Sequence, residues 1–201
     1  MSYRAIGFDL LTALLDTWSL WADVAGQRDL GMRWHGASQA LLRGQTYRPF
    51  DAIVHESARS VGVDDAKAVE LLRRWGEFDP WPDVPSTLAA LPRPLFIVTN
   101  CSRDLGRRAA AKAGAFDLVM TAEEAGAYKP DPRPYRTALE RLGLAPREVI
   151  FVAGSAHDVG GAMRVGMDVY WANRGRVAAP SDAVASREAP DLRDLVATVE
   201  A

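Results

Sequence analysis

The sequence predicts an α/β fold: a parallel sheet flanked by helices, with a helical insertion after the first strand. Three observations carry this reading. Four short apolar runs, Ala5–Phe8, Leu95–Val98, Val149–Ala153 and Val169–Ala172, have the length and composition of buried parallel strands, and Leu118–Met120 is a weaker fifth. Helix-period segments at Leu105–Ala113, Pro134–Leu142 and His157–Val165 alternate with the later runs, the pattern of βαβ units. The stretch from Thr17 to Trp81 contains no convincing strand.

The first run closes on Asp9, so a lone carboxylate stands at the tip of the opening strand. The following insertion shows apolar positions at helical spacing: Leu30, Trp34, Leu41 and Leu42, then Ala68, Leu71, Leu72 and Trp75. It returns through Asp79-Pro80-Trp81-Pro82-Asp83-Val84-Pro85, too rich in proline for a helix interior. The expected division is a core of residues 1–16 and 82–201 with a helical unit of residues 17–81. Lys129-Pro130-Asp131-Pro132 and Ala179-Pro180 mark loops, and Leu192–Val199 reads as a terminal helix. Right-handed crossovers bring the C-terminal ends of all parallel strands to one rim, where open α/β sheets place their chemistry.

Composition narrows the function classes. The 201 residues are 48% apolar and 25% charged, enough for a sizeable core with an ordinary polar surface. Twenty-four basic against 26 acidic residues give a net charge of −2, so neither a nucleic-acid nor a membrane partner is expected. No run approaches the roughly 20 apolar residues of a membrane span. The single Cys101 excludes an intrachain disulfide and suits a reducing, cytoplasmic setting, and Met1-Ser2-Tyr3-Arg4 leaves no room for a signal peptide. His35 and His157 lack the spacing of a zinc site, so no metal ligand set is expected.

The rim collects chemically distinct groups. The second long strand ends in Thr99-Asn100, the proline loop carries Lys129, and Val149–Ala153 runs into Gly154-Ser155-Ala156-His157-Asp158. A carboxylate nucleophile needs such company. Lys129 would hold Asp9 ionised, Thr99 and Asn100 would donate to an oxyanion or a substrate carboxylate, and Asp158 would orient Lys129 or activate water. Each residue alone also has a bland reading. Asp9 fits a strand-end turn, Thr99 and Asn100 fit helix caps, Asp158 fits a first-turn helix acid, and Arg33 fits a solvated surface.

Asp9, Thr99, Lys129 and the Gly154–Asp158 turn, in this order and around a helical insertion, resemble the four motifs of the haloacid dehalogenase (HAD) superfamily. The resemblance runs from Arg4 to about Arg174. It implies a Rossmann-like core with an α-helical cap inserted after the first strand. Phosphatases of that superfamily carry a second acid two residues after the first. Here Leu11 stands in that place, and the fourth motif has one acid, Asp158. Losing a positioned general acid costs roughly 10²–10⁴ in rate. The pattern is closer to the L-2-haloacid dehalogenases, which it matches at Leu11, Thr99-Asn100, Tyr135 and Asp158.

That resemblance implies a metal-independent hydrolase that forms an aspartyl ester with a small 2-haloacid or related 2-substituted carboxylate and needs no cofactor. Asp9 is the implied nucleophile, assisted by Lys129, Asp158 and Thr99. Asn100, Ser155, Tyr135 and Leu11 would contact substrate, with Arg33 or His35 joining from the cap. A homodimer is also implied. The chain departs from the dehalogenases at Thr12-Ala13, where they carry Gly-Thr, at His35, where they carry an arginine, and at Ser155, where they carry Asn. Two alternatives remain open at this point: a Mg²⁺-dependent phosphatase of the same fold, and a catalytically impaired protein that binds a small carboxylate.

Overall fold

In a computed structural model, the chain is described over residues 3–43, 46–179 and 184–200. Met1, Ser2 and Pro180 of the expected Ala179-Pro180 loop lie outside these segments. The elements run β1 Ala5–Phe8, β2 Leu15–Asp16, α1 Thr17–Ala25, α2 Arg28–Leu42, α3 Phe50–Ser60, α4 Asp65–Arg73, β3 Asp79–Pro80, α5 Val84–Ala90 and β4 Leu95–Thr99. They continue with α6 Arg103–Ala113, β5 Leu118–Thr121, α7 Ala122–Ala125, α8 Pro132–Leu142, β6 Val149–Ala153, α9 Ala156–Val165, β7 Asp168–Ala172, β8 Arg187–Ala189 and α10 Leu195–Glu200.

Six strands form one sheet in the order β5-β4-β1-β6-β7-β8, and each neighbouring pair is parallel. β1 is therefore central, with Phe8 opposite Ile97 on one side and Val152 on the other. The chain builds outward from β1 through β4 to β5, then crosses back to β6 on the far side. Ligands bind at such a reversal, outside the carboxyl ends of the strands. Asp9, immediately after β1, sits at that point, and its N–H donates to Val152 O at 2.9 Å.

Side chains alternate across the sheet and feed two cores. Ile6, Phe8, Ile97, Ile150, Val152 and Tyr170 pack toward α5, α6, α10 and the helical insertion. Phe96, Val98, Phe151, Ala153, Val169 and Trp171 pack under α8 and α9. Two minor elements escaped the apolar pattern. β2 and β3 form a two-residue antiparallel ribbon at the neck of the insertion, and β8 pairs with β7 as an edge strand. The proline-rich return behaves as its composition requires, with Pro85 in the first turn of α5, where a missing N–H costs nothing.

Helices α1 to α4 surround an aromatic centre. Trp21, Trp34 and Trp75 are completely or almost completely buried with Phe50 and Phe78, meeting edge to face at centroid distances of 4.8 to 6.2 Å. Trp34 Nε1 donates to Val54 O and Ser57 Oγ at 3.2 and 3.1 Å, so this ring is satisfied as well as packed. Two contacts tie these helices to the sheet layer. Arg108 of α6 donates to Arg73 O at 2.6 Å, closing the C-terminus of α4, and the Tyr128 hydroxyl donates to Arg48 O at 2.7 Å.

The seating of α2 depends on Gly31. A Cβ there would lie 2.6 Å from both Ala22 Cα and Trp21 O, so α1 and α2 touch backbone to backbone. Gly31→Ala must push these helices apart. It is expected to lower stability by about 1–3 kcal/mol, read as a lower urea midpoint at unchanged m-value.

Candidate active site

Three ionisable side chains form the floor of the site. Lys129 Nζ lies 2.8 Å from Asp9 Oδ1 and 3.2 Å from both carboxylate oxygens of Asp158. All three are buried, with residue exposures of 4–6%. The loop Tyr128-Lys129-Pro130 is fixed by Asn100, whose Nδ2 donates to Lys129 O at 3.1 Å and whose Oδ1 accepts from Lys129 N–H at 2.7 Å. The ammonium also lies 5.8 Å from the Phe151 ring centroid.

The second oxygen of Asp9 is held differently. After β1 the chain coils, with Leu14 N–H and Leu15 N–H both donating to Leu10 O at 3.2 Å. This turn aims its own donors back at the carboxylate. Asp9 Oδ2 accepts from Thr12 N–H at 3.1 Å, Thr12 Oγ1 at 2.8 Å and Ala13 N–H at 3.3 Å. Successive N–H groups on one concave turn make an anion nest. Gly154, entering from the end of β6, makes room for it. A Cβ at residue 154 would lie 2.2 Å from Thr12 Oγ1, 2.4 Å from Ala13 N and 2.6 Å from Asp9 Oδ2.

These contacts set the charges. Burial pushes the Asp9 carboxyl up, but the Lys129 ammonium and the Thr12 donors outweigh it and hold the pKa below the ordinary value. Asp158 goes the other way. Burial raises it, Lys129 opposes, and the neighbouring Asp9 charge adds to the rise. Lys129 is raised, because the two carboxylates overcome its burial. Tyr135 donates its hydroxyl to Asp158 Oδ1 at 3.1 Å, and burial followed by the Asp158 charge keeps that phenol protonated. The site therefore holds a strongly ionised carboxylate beside a more basic one, the separation that divides acid–base roles.

A cavity of about 150 Å³ opens over this floor, lined by Asp9, Leu11, Lys129, Asp158, Asn100 and Ser155 below. Its roof is one face of α2, His35, Gln39 and Leu42, spaced i, i+4 and i+7, with Arg43 just past the end of the helix. Burial pushes His35 down to about 4 against the pull of Asp9, so the imidazole above the carboxylate is neutral at pH 7. His157, Thr12 and Pro130 complete the wall.

Ten residues carried sequence expectations, and the structure separates them. Asp9, Lys129, Asp158, Asn100, Ser155, His35 and Leu11 line the cavity. Ser155 also caps α9, accepting from Asp158 N–H at 3.3 Å. Thr99 does not line it. This residue ends β4 on the same face as Ile97, and its fully buried hydroxyl points to Cys101 Sγ at 3.5 Å beneath α6. Its expected role as an oxyanion donor is corrected accordingly; the donors on Asp9 Oδ2 come from Thr12 and Ala13. Arg33 is corrected too: two residues from His35 is a 200° turn of helix, so its side chain is exposed on the outer face. Arg43 is the arginine of the wall instead. Tyr135 acts through Asp158 and lies outside the cavity lining. Gln39, Leu42 and Arg43 escaped the sequence reading, although their helical spacing from His35 was available to reveal them.

The sequence matches the family model for haloacid dehalogenase-like hydrolases over residues 12–166. The chain belongs to that hydrolase family. It is 33% identical over 194 residues to (S)-2-haloacid dehalogenase 4A of Burkholderia cepacia, covering 86% of this chain and 84% of that protein. It is also 33% identical over 187 residues to phosphoserine phosphatase of Thermus thermophilus, covering 86% and 73%. Among solved structures, a dehalogenase determined with an intermediate complex superposes with a TM-score of 0.85 at 26% identity, covering 98% and 97% of the two chains. The parallel sheet flanked by helices described above is thus the fold shared with that dehalogenase.

Two outcomes follow from the floor of this HAD-family site. Lys129→Met leaves two buried carboxylates without a counter-charge and should cost about 3–5 kcal/mol near pH 7. With the ammonium gone, burial raises both folded-state pKa values above the unfolded carboxylate range, so the penalty is full at neutral pH and shrinks as the groups protonate. The parent instead loses the Asp9 contribution as pH falls through its lowered folded-state pKa. Urea unfolding near pH 7 and near pH 5 should therefore show the gap between the two proteins narrowing with acid. Gly154→Ala should retain the fold and lower kcat by about 100-fold, because it displaces Thr12 and Asp9 together.

Proposed function

We propose that this HAD-family protein hydrolyses a small 2-substituted carboxylate, with a 2-haloacid as the best-supported substrate, through an ester on Asp9 and without a metal ion. The observation that carries this reading is the unequal treatment of the two Asp9 oxygens. Among the described residues Oδ1 accepts only from Lys129, whereas Oδ2 accepts three hydrogen bonds. Oδ1 therefore retains a lone pair for attack.

In the first step Oδ1 bonds to C2 of the acid as the carbon–halogen bond breaks, and halide departs with the bonding pair. Halide needs no proton, so Leu11 in place of a second acid is no obstacle. Arg43 in the cavity wall supplies positive charge for the substrate carboxylate. In the second step water attacks Cγ of the ester, and negative charge grows on Oδ2. The Thr12 and Ala13 donors then act as an oxyanion hole already in place. Asp158, more basic than an ordinary aspartate, takes a proton from that water. Collapse of the intermediate expels the 2-hydroxy acid, whose alkoxide takes up a proton, and restores the Asp9 carboxylate. The sum is haloacid plus water to hydroxy acid, halide and one proton.

The Thermus phosphatase relative favours a second reading, a Mg²⁺-dependent phosphatase. The donor set argues against it. Mg²⁺ takes near-octahedral oxygen ligands, commonly one or two carboxylates. Here Lys129 Nζ lies between the two acids, and the described residues contain no group of three or more His, Cys, Asp or Glu suited to a metal.

Parent protein should release halide from (S)-2-chloropropionate, and Asp9→Asn should abolish release. A single turnover in ¹⁸O-water should place label in the Asp9 peptide. Label found only in the product would overturn the ester, and strong Mg²⁺-dependent cleavage of p-nitrophenyl phosphate would favour the second reading.

A further inference from the structure

The Thr12–Ala13 peptide is gripped on both sides. Its N–H, that of Ala13, donates to Asp9 Oδ2 at 3.3 Å. Its C=O, that of Thr12, accepts from the indole Nε1 of Trp81 at 3.1 Å. The next carbonyl, that of Ala13, accepts from Arg174 Nε at 2.9 Å. Arg174 lies across the Trp81 ring at 5.0 Å and forms two 3.0 Å bonds to Asp83. Asp83 also accepts from Leu192 N–H at 2.8 Å. Trp81 N–H donates to Leu14 O at 3.0 Å, and its ring meets Trp18 of α1 edge to face at 5.6 Å.

We propose that Trp81 is a positioning residue, whose indole N–H orients the Thr12–Ala13 peptide so that its N–H serves the Asp9 oxygen that becomes negative during ester hydrolysis. The inference rests on the ester mechanism above for its kinetic consequence. Trp81 does not itself line the cavity, and its bond to this region is to the Thr12 carbonyl, so its effect passes through the peptide. A donor at the carbonyl also polarises the peptide and strengthens its N–H as a donor. Arg174, with its fork fixed by Asp83, keeps the indole at the required angle. Because Trp81 stands where the chain returns from the helical insertion and leans on Trp18, the geometry of that junction is transmitted to the nucleophile.

Trp81→Phe removes the donor and keeps an aromatic ring. Trp171→Phe is the control: Trp171 is equally aromatic, almost fully buried, and its Nε1 has no partner among the described residues. In Trp81→Phe the Ala13 amide proton should move upfield and exchange faster in heteronuclear NMR. With 2-chloropropionate, kcat should fall about three- to tenfold and KM should fall with it, leaving kcat/KM nearly unchanged, because ester formation is not the step affected. The Asp9 ester should accumulate in mass spectra of the quenched variant, because the second step is the one slowed. Trp171→Phe should show none of these changes. An unmoved Ala13 amide, a loss confined to KM, a shifted amide with unimpaired hydrolysis, or the same changes in Trp171→Phe would each overturn the proposal. Should Trp81→Phe fail to fold, Arg174→Lys carries the test, since it keeps a charge for Asp83 but loses the Nε contact and the fork; the same NMR and ester signatures are expected. If the parent converts no 2-substituted acid at all, the ester reading fails on its own, and the Ala13 amide still decides whether Trp81 holds the peptide.

Discussion

One buried ammonium between two buried carboxylates is the constraint on which the site depends. Taking three charged groups from water costs several kcal/mol for each ion unless their mutual geometry is good. Here Lys129 reaches Asp9 at 2.8 Å and Asp158 at 3.2 Å, and several neighbouring contacts support that arrangement. Asn100 fixes the lysine backbone, Tyr135 satisfies Asp158, and the turn after β1 satisfies Asp9. One positive charge cannot fully neutralise two negative ones. The imbalance falls on Asp158, which lacks the backbone donors that Asp9 enjoys, and it is driven toward the more basic state. A difference in hydrogen bonding between two like residues thus helps to separate a readily ionised carboxylate from a more basic one.

The main sheet was legible because its strands are buried on both faces. Ala5–Phe8 and Val149–Ala153 coincide with β1 and β6, and the other three runs differ from their strands by one residue at an end. Such runs are apolar whichever face they serve. β2, β3 and β8 were not legible. Two or three residues such as Leu15-Asp16, Asp79-Pro80 and Arg187-Glu188-Ala189 carry no periodicity, and their pairing is decided by where the neck of the insertion and the sheet edge happen to lie.

The site was legible to the extent that it hangs on strand ends. Asp9 and Asn100 follow β1 and β4 directly and Ser155 comes two residues after β6, so the rim collects them as soon as the strands are parallel. Thr99 shows the limit of that logic, since one residue earlier on the same strand the side chain turns into the core instead of the cavity. Arg33 and Arg43 show a second limit. Both lie on α2 or at its end, and the seating of that helix, packed tightly on α1 at Gly31, brings Arg43 and not Arg33 to the cavity. Backbone donors are a third. The N–H groups of Thr12 and Ala13 matter for their direction, which side-chain identity does not encode.

The roof and the floor of the cavity come from separate structural layers. His35, Gln39 and Leu42, with Arg43 at the helix end, form a single stripe, while Lys129 and Asp9 stand on loops at the sheet rim and Asp158 on the first turn of α9. Exchanges along that stripe can therefore change which molecules are admitted without disturbing the reactive centre beneath. Selectivity in this architecture is free to drift over generations while the chemical apparatus stays still, and closely similar floors can come to serve quite different metabolites.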